Sequence, residues 1–135
     1  MFFDYYQTGD TALTSDTGSR IEGIGRPRVE PSFISGVVDE MRKVPDAASV
    51  ATAQWLEAKL GRKVGASTGT NVYGALQLAS EMKQRGETGS IVTLLCDSGE
   101  RYLDTYYNPT WVAENIGDIA PYQAKLEEFE ALGCI

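Results

Sequence analysis

Gly65-Ala66-Ser67-Thr68-Gly69 stands where a short apolar segment, Lys63 to Ala66, meets an amphipathic pattern that begins near Thr70. A strand running through a glycine-bounded turn into a helix is the repeating unit of an α/β fold, so this stretch sets the expected architecture. Its chemistry is narrowed by what the chain lacks. The pattern G-x-S-x-G matches a nucleophile elbow, in which the serine stays weak until a base removes its proton. The chain contains no histidine, and none of Lys43, Lys59, Lys63, Lys83 or Lys125 stands at a spacing that recommends it as the base. Small hydroxyl residues at a helix N-terminus have a second use. They meet an electron-rich ligand atom with a hydroxyl and with free backbone N–H groups, which would make Ser67 a ligand-orienting residue rather than a nucleophile. A purely structural role is equally open, with Thr68 or Thr70 capping the helix and the glycines allowing a tight turn.

Outward from this turn, helical and strand-like segments alternate. Asp46 is placed to cap a helix that runs to about Leu60 and stops at Gly61, with Val50, Ala53 and Leu56 or Trp55 turned inward. Val72, Ala75, Leu76, Ala79 and Met82 recur at helical spacing, with Lys83 and Arg85 in the last turn and Gly86 beyond it. Ile91 to Cys96 is an unbroken apolar run between Gly89 and Asp97-Ser98-Gly99, the pattern of a strand covered on both faces. Asn108 with Pro109 opens a short helix ended by Gly117. Pro121 opens another, bearing Tyr122, Leu126, Phe129 and Leu132, and the two helices are expected to cover or pair with each other. Ile34, Val37, Val38 and Met41 fit a helix, but Pro45 follows closely and Met41 to Val44 fits a strand equally well. The expected fold class is α/β, a partial three-layer domain in which a parallel sheet is covered by helices.

The 135 residues suit one domain, and 42% hydrophobic residues are enough for a modest core. A net charge of −7 and a pI near 4.5 oppose binding to nucleic acid or to an anionic membrane. Arg26 and Arg28 form a local basic pair that could hold an anion. No apolar run approaches the length of a membrane span, and the start, Met1-Phe2-Phe3-Asp4-Tyr5-Tyr6, has neither a basic region nor a small-residue cleavage site, so the expected location is the cytoplasm. Cys96 and Cys134 are too few for a disulfide framework or a zinc site and are expected to be free thiols; no metal site is expected. The four aromatics of the opening segment precede any expected regular element and read as an arm packed on a core or partner, or as a chain entered midway.

Three blocks in fixed order, together with a fourth, resemble the C-terminal part of the cysteine synthase and cystathionine β-synthase family. Ile21-Glu22-Gly23-Ile24-Gly25 is similar to the family's I-x-G-I-G segment, and Ser49-Val50-Ala51-Thr52-Ala53 is similar to its A-I-x-T-A helix. Gly65 to Gly69 is similar to its G-I-S-S-G segment, and Asp97-Ser98-Gly99-Glu100-Arg101-Tyr102-Leu103-Asp104-Thr105 to its S-G-E-R-Y-L-S-T segment. The resemblance implies a tryptophan synthase β-subunit-like fold and pyridoxal 5'-phosphate as cofactor, with Ser67, Gly23, Gly25, Gly65 and Thr68 at the cofactor. Ser67 would hydrogen-bond the pyridine nitrogen; a hydroxyl is too weak an acid to keep that nitrogen protonated, which restrains the ring as an electron sink. Restraint favours loss of a β-substituent over a long-lived carbanion. The implied chemistry is therefore β-elimination followed by addition of sulfide or another nucleophile, giving cysteine from an activated serine, or by hydrolysis, as in a cysteine desulfhydrase. Gly23 and Gly25 would let the backbone approach cofactor or substrate, or are turn residues only; Glu100 and Arg101 would be site neighbours or an ion pair only.

The resemblance also has limits in the residues themselves. Many members continue Gly-Ile-Gly-Ala-Gly where this chain reads Gly23-Ile24-Gly25-Arg26-Pro27-Arg28, a stiffer and more basic loop. No lysine precedes Lys43, and nothing ahead of Gly18 matches the family's Schiff-base lysine or its phosphate cradle. The sequence is accordingly expected to represent a truncated relative, with residues 1–20 an arm or remnant, residues 21–135 one wall of the enzyme domain, and no catalytic residue of its own. The intact relative is expected to act on a small amino-acid substrate as a homo-oligomer, a dimer. The alternative is a non-catalytic α/β module that binds a partner chain through the surface left bare. As a truncated relative, the chain leaves Ile91 to Cys96 without enough neighbouring strands and is expected to expose apolar surface and self-associate, whereas a monodisperse monomer would favour the independent module.

Overall fold

The computed structural model describes residues 2–135 and divides into two compact units, Met1–Lys43 and Val44–Ile135. In the first, helix α1 spans Phe2–Thr8 and ends at Gly9, whose φ of 71° lies in the left-handed region. Phe2, Phe3, Tyr5 and Tyr6 thus belong to a regular helix, contrary to the expectation that they precede one. Phe33 gathers two of them, with ring centroids 4.8 Å from Phe2 and 5.8 Å from Tyr5, and the Tyr6 hydroxyl donates to the Asp39 carbonyl at 2.8 Å. Of the open helical reading around Ile34 to Met41, only a single 3-10 turn at Ser35–Val37 forms. Gly36 and the β-branched pair Val37-Val38 disfavour its extension.

The second unit is helical. Helix α2 spans Asp46–Leu60, α3 spans Ala66–Gln84, α4 spans Pro109–Asn115 and α5 spans Ala120–Leu132. Helix α2 ends as expected at Gly61, φ 66°, but its N-cap is Pro45, so Asp46 is the first helical residue and does not cap. Ala48 to Ala53 are all buried, around the full circumference of α2, because neighbours close on it from more than one side. Helix α3 lies against it so tightly that a Cβ on Gly69 would sit 2.0 Å from the Ser49 carbonyl oxygen. Tyr73 of α3 and Leu126 of α5 complete a core with Ala48 and Ala51, flanked by Leu76, Ile119, Tyr122 and Trp55.

The buried seam of α3 is Ala66, Gly69, Tyr73 and Ser80, whereas Val72, Ala75, Leu76, Ala79 and Met82 are only half-buried. Apolar spacing located the helix but rotated its seam, since close packing here uses glycine and serine. Helix α4 starts as expected: Asn108 Oδ1 accepts from the N–H groups of Thr110 at 3.0 Å and Trp111 at 3.3 Å, and Gly117 follows with φ 96°. Helix α5 covers α2.

The expected parallel sheet does not appear. Among the described residues the β-pairing consists of isolated antiparallel bridges, Thr14 to Arg28 and Val64 to Ser98. Lys63 to Ala66 contributes one bridge residue, and the helix begins at Ala66, four residues ahead of Thr70. Ile91 to Cys96 is exposed throughout instead of being covered on both faces, with Val92 at 91% and Leu94 at 72% exposure. A strand needs an adjacent backbone for its N–H and C=O groups, and among the described residues no bridge pairs a second backbone with this run.

Candidate functional site

The turn into α3 is held from three directions. Gly65 is the N-cap, in extended conformation, and no side chain caps the helix. Its carbonyl accepts from Thr68 N–H at 3.0 Å and Gly69 N–H at 3.4 Å, while its own N–H donates to the Asp97 carbonyl at 3.0 Å. One residue earlier, the Tyr107 hydroxyl accepts from Val64 N–H at 3.0 Å and donates to Val64 C=O at 2.7 Å. Burial pushes the Tyr107 phenol above its ordinary pKa, partly offset by its hydrogen bond to the Val64 backbone and reinforced by the Glu57 carboxylate. Lys63 C=O accepts from Gly99 N–H at 3.2 Å, and a Cβ on Gly99 would meet Val64 N at 2.5 Å. The 97–99 segment therefore lies directly against the turn.

Within this frame the hydroxyl residues have different surroundings. Thr68 is fully buried and its Oγ1 accepts from Cys96 N–H at 2.9 Å, while Thr70 donates to Ser49 Oγ at 2.7 Å. Neither caps the helix. Ser67 is half-buried in the first turn, and its hydroxyl has no hydrogen-bond partner among the described residues. It sits at the positive end of a 19-residue helix whose first N–H groups have no intrahelical acceptor. Gly65 and Thr68 hold the backbone, and Ser67 offers the free donor.

Gly23 and Gly25 lie in the other unit, in an exposed turn, with φ of 85° and 78°. Both conformations favour glycine, and a Cβ on Gly25 would come 2.8 Å from Ser19 Cβ. A backbone reason for glycine thus exists at both positions alongside any contact with a ligand. Asp97 and Tyr107 have no signal in the sequence as parts of the turn, and Gly69, read there as a turn glycine, has none for its packing against Ser49. Asp97 and Gly69 stood inside recognised blocks, but nothing in their spacing reveals a partner over 30 residues away or on a neighbouring helix.

A pyridine nitrogen fits the free Ser67 hydroxyl, a neutral donor on a helix terminus. Lys59 and Lys63 are paired with Glu130 and Glu57, Lys43 with Asp4, Lys83 donates to the Leu132 carbonyl, and Lys125 lies over the Tyr122 ring. Among the described residues no group of three or more potential metal ligands forms, Cys96 and Cys134 are free thiols, and no helix is long and apolar enough to cross a membrane.

No family model matches the chain. Individual proteins do. It is 57% identical over 129 residues to the L-cysteine desulfhydrase Cds1 of Mycobacterium tuberculosis, covering 96% of this chain and 35% of that protein. It is 33% identical over 130 residues to cysteine synthase 2 of Emericella nidulans, covering 95% and 28%. A Caenorhabditis elegans protein whose name marks it as pyridoxal-phosphate dependent is 41% identical over 131 residues, covering 85% and 30%. The chain thus spans about a third of the length of these relatives and matches their C-terminal portions. With the ordered blocks around Ser67, these similarities show that the chain belongs to the pyridoxal-phosphate-dependent cysteine synthase and cysteine desulfhydrase family.

Proposed function

We propose that this chain supplies the Ser67 wall of a pyridoxal-phosphate-dependent enzyme that eliminates the β-substituent of a cysteine-like amino acid, in the manner of a desulfhydrase. The observation that carries the reading is the 57% identity to an L-cysteine desulfhydrase across nearly the whole chain. The reaction consumes L-cysteine and water and releases pyruvate, ammonia and hydrogen sulfide. A β-replacement that makes cysteine from an activated serine shares the elimination half and is the second reading, supported by the 33% identity to a cysteine synthase.

The cofactor, when bound, supplies the electron sink through which the α-proton and the β-substituent leave. The chain's own part is orientation. The Ser67 hydroxyl donates a hydrogen bond to the ring nitrogen without transferring its proton, because a serine hydroxyl is a far weaker acid than a pyridinium. Gly65 and Thr68 keep that hydroxyl in place through their bonds to Asp97 and Cys96. Gly23 and Gly25, lacking Cβ atoms, leave room for the backbone to approach the substrate.

The test is a chimera in which this chain replaces the matching C-terminal portion of the M. tuberculosis relative. The chimera is expected to release sulfide and pyruvate from L-cysteine. Ser67→Ala should lower turnover about two- to twelve-fold, the loss of roughly 0.5–1.5 kcal/mol for one neutral hydrogen bond, with an unchanged circular dichroism spectrum. A folded, cofactor-loaded chimera that releases no sulfide from cysteine but joins sulfide to an activated serine would replace the first reading by the second. Full activity in Ser67→Ala would remove Ser67 from the site.

A further inference from the structure

Asp97 makes an arrangement that packing alone does not explain. Its Oδ2 accepts a 2.6 Å hydrogen bond from the Tyr102 hydroxyl, and its carbonyl accepts from Gly65 N–H at 3.0 Å. Its Oδ1 is buried and has no hydrogen-bond partner. That oxygen presses on the turn so closely that a Cβ on Gly65 would lie 1.8 Å from it. A buried acceptor without a donor costs stability, and native structures hold few of them. Here it is kept in place from both ends. Tyr102 is buried, its ring lies 4.8 Å from that of Tyr106, and Tyr106 meets Trp111 edge-on at 5.6 Å, so the hydroxyl that grips the carboxylate is itself fixed.

The neighbouring residue extends the hold. Cys96 N–H donates to Thr68 Oγ1, so two consecutive residues, 96 and 97, are tied to positions 68 and 65 on either side of Ser67. The carboxylate also places negative charge beside the N-terminus of α3, where the helix dipole favours it.

We propose that Asp97, gripped by Tyr102, is the positioning residue of the Ser67 turn: it sets where the first turn of α3 begins and thereby where the Ser67 hydroxyl points. The inference rests on the functional reading of Ser67, and it adds a residue that acts through the turn without touching the ligand. It also assigns Gly65 a reason to be glycine, since any side chain there would displace the carboxylate.

The first test needs no cofactor. In the 135-residue chain, Asp97→Ala and Tyr102→Phe should each speed amide exchange at Gly65, Thr68 and Gly69 by about tenfold or more, the loss of a charge-assisted bond, while amides at the centre of α2 keep their rates. Gly65→Ala should have the same local effect, and Gly65→Ala combined with Asp97→Ala should be no worse than Asp97→Ala alone. Unchanged exchange in Tyr102→Phe, or additive losses in the double variant, would overturn the proposal; Tyr102→Phe keeps it testable should Asp97→Ala fail to fold.

The second test uses the loaded chimera. Asp97→Ala should shift the cofactor absorption in the same direction as Ser67→Ala and lower kcat more than it raises KM, and the pair together should shift it no further than Ser67→Ala alone. A shift in Asp97→Ala that adds to that of Ser67→Ala would sink the proposal. If Ser67→Ala leaves the spectrum unchanged while the exchange rates respond to Asp97 and Tyr102, the ligand reading of Ser67 falls and the role of Asp97 in setting the turn stands.

Discussion

Residues 48–53 of α2 and residues 91–95 both carry several apolar side chains in the same unit, yet the first stretch is buried and the second is bare. Ala48, Val50, Ala51 and Ala53 are 0% exposed, while Val92 is 91% exposed. The difference lies in the backbone. A helix satisfies its own N–H and C=O groups and asks its neighbours only for a packing face, so α2 is complete once α3 and α5 cover it. A strand asks for a second backbone as well, and hydrophobicity alone does not provide one. Cys96 N–H finds a side-chain acceptor in Thr68 and the Leu94 carbonyl accepts from Asn71 Nδ2 at 3.5 Å, but among the described residues no backbone-to-backbone hydrogen bond reaches residues 91–95. Apolar side chains thus give a core in one place and an unpaired edge in the other.

Truncating the enclosed region should have the largest effect. Leu126→Ala removes a wholly buried side chain from the core shared by α2, α3 and α5, and should lower unfolding free energy by about 2–5 kcal/mol in urea titration. A loss under about 1 kcal/mol would mean that α5 is not part of the cooperative unit.

A smaller effect is expected at high pH. Burial, and then the nearby Tyr122, raise the Tyr73 phenol above its ordinary value of 10.0. A raised folded-state pKa contributes stability that is full below pH about 10 and is lost as pH rises through the folded value, because the unfolded chain releases its proton first. Tyr73→Phe should therefore flatten the alkaline fall in melting temperature. An identical alkaline fall in wild type and variant would show that Tyr73 does not titrate with unfolding.

The smallest change in stability is expected at the bare run. Val92→Lys should alter unfolding free energy by no more than about 0.5 kcal/mol, because the side chain it replaces packs on little. Its effect should appear in association. The wild-type chain should bind a hydrophobic dye and scatter light as an associating species, and Val92→Lys should reduce both, since a lysine on an open edge opposes strand pairing. The charge of −7 opposes association only at long range and is screened over about 10 Å at ordinary salt. A monodisperse wild-type monomer without dye binding would erase the contrast between the two regions.

The sequence reading succeeded where physics is local. Asn108 with Pro109, the glycines at 61 and 117, and the apolar period that located α3 mark helices and their ends through bonds made within a few residues. It failed where the outcome depends on distant chain. The run at 91–96 has the composition of a covered strand, but cover is supplied by other segments, and the expected sheet is absent for that reason. The buried seam of α3 was misplaced because Gly69 and Ser80 carry no apolar signal, although Gly69 is where α2 comes closest and Ser80 is where Ile135 N–H donates. At the candidate site, Ser67 was legible from its motif. Asp97 and Tyr107 were not, since their partners lie 32 and 43 residues away.

The joint between α2 and α5 contains its own optical label. Trp55 on α2 donates its indole N–H to the Glu130 carboxylate on α5, and Lys59 reaches the same carboxylate at 2.6 Å while lying 5.5 Å from the indole centroid. An excited indole responds strongly to adjacent charge and to water, so detachment of the C-terminal helix exchanges a fixed ion pair for solvent at the fluorophore. With Trp111 replaced by phenylalanine, Trp55 is the only indole left in the chain. Its emission then follows the docking of one helix as an event separate from global melting, read on the native sequence without an attached dye.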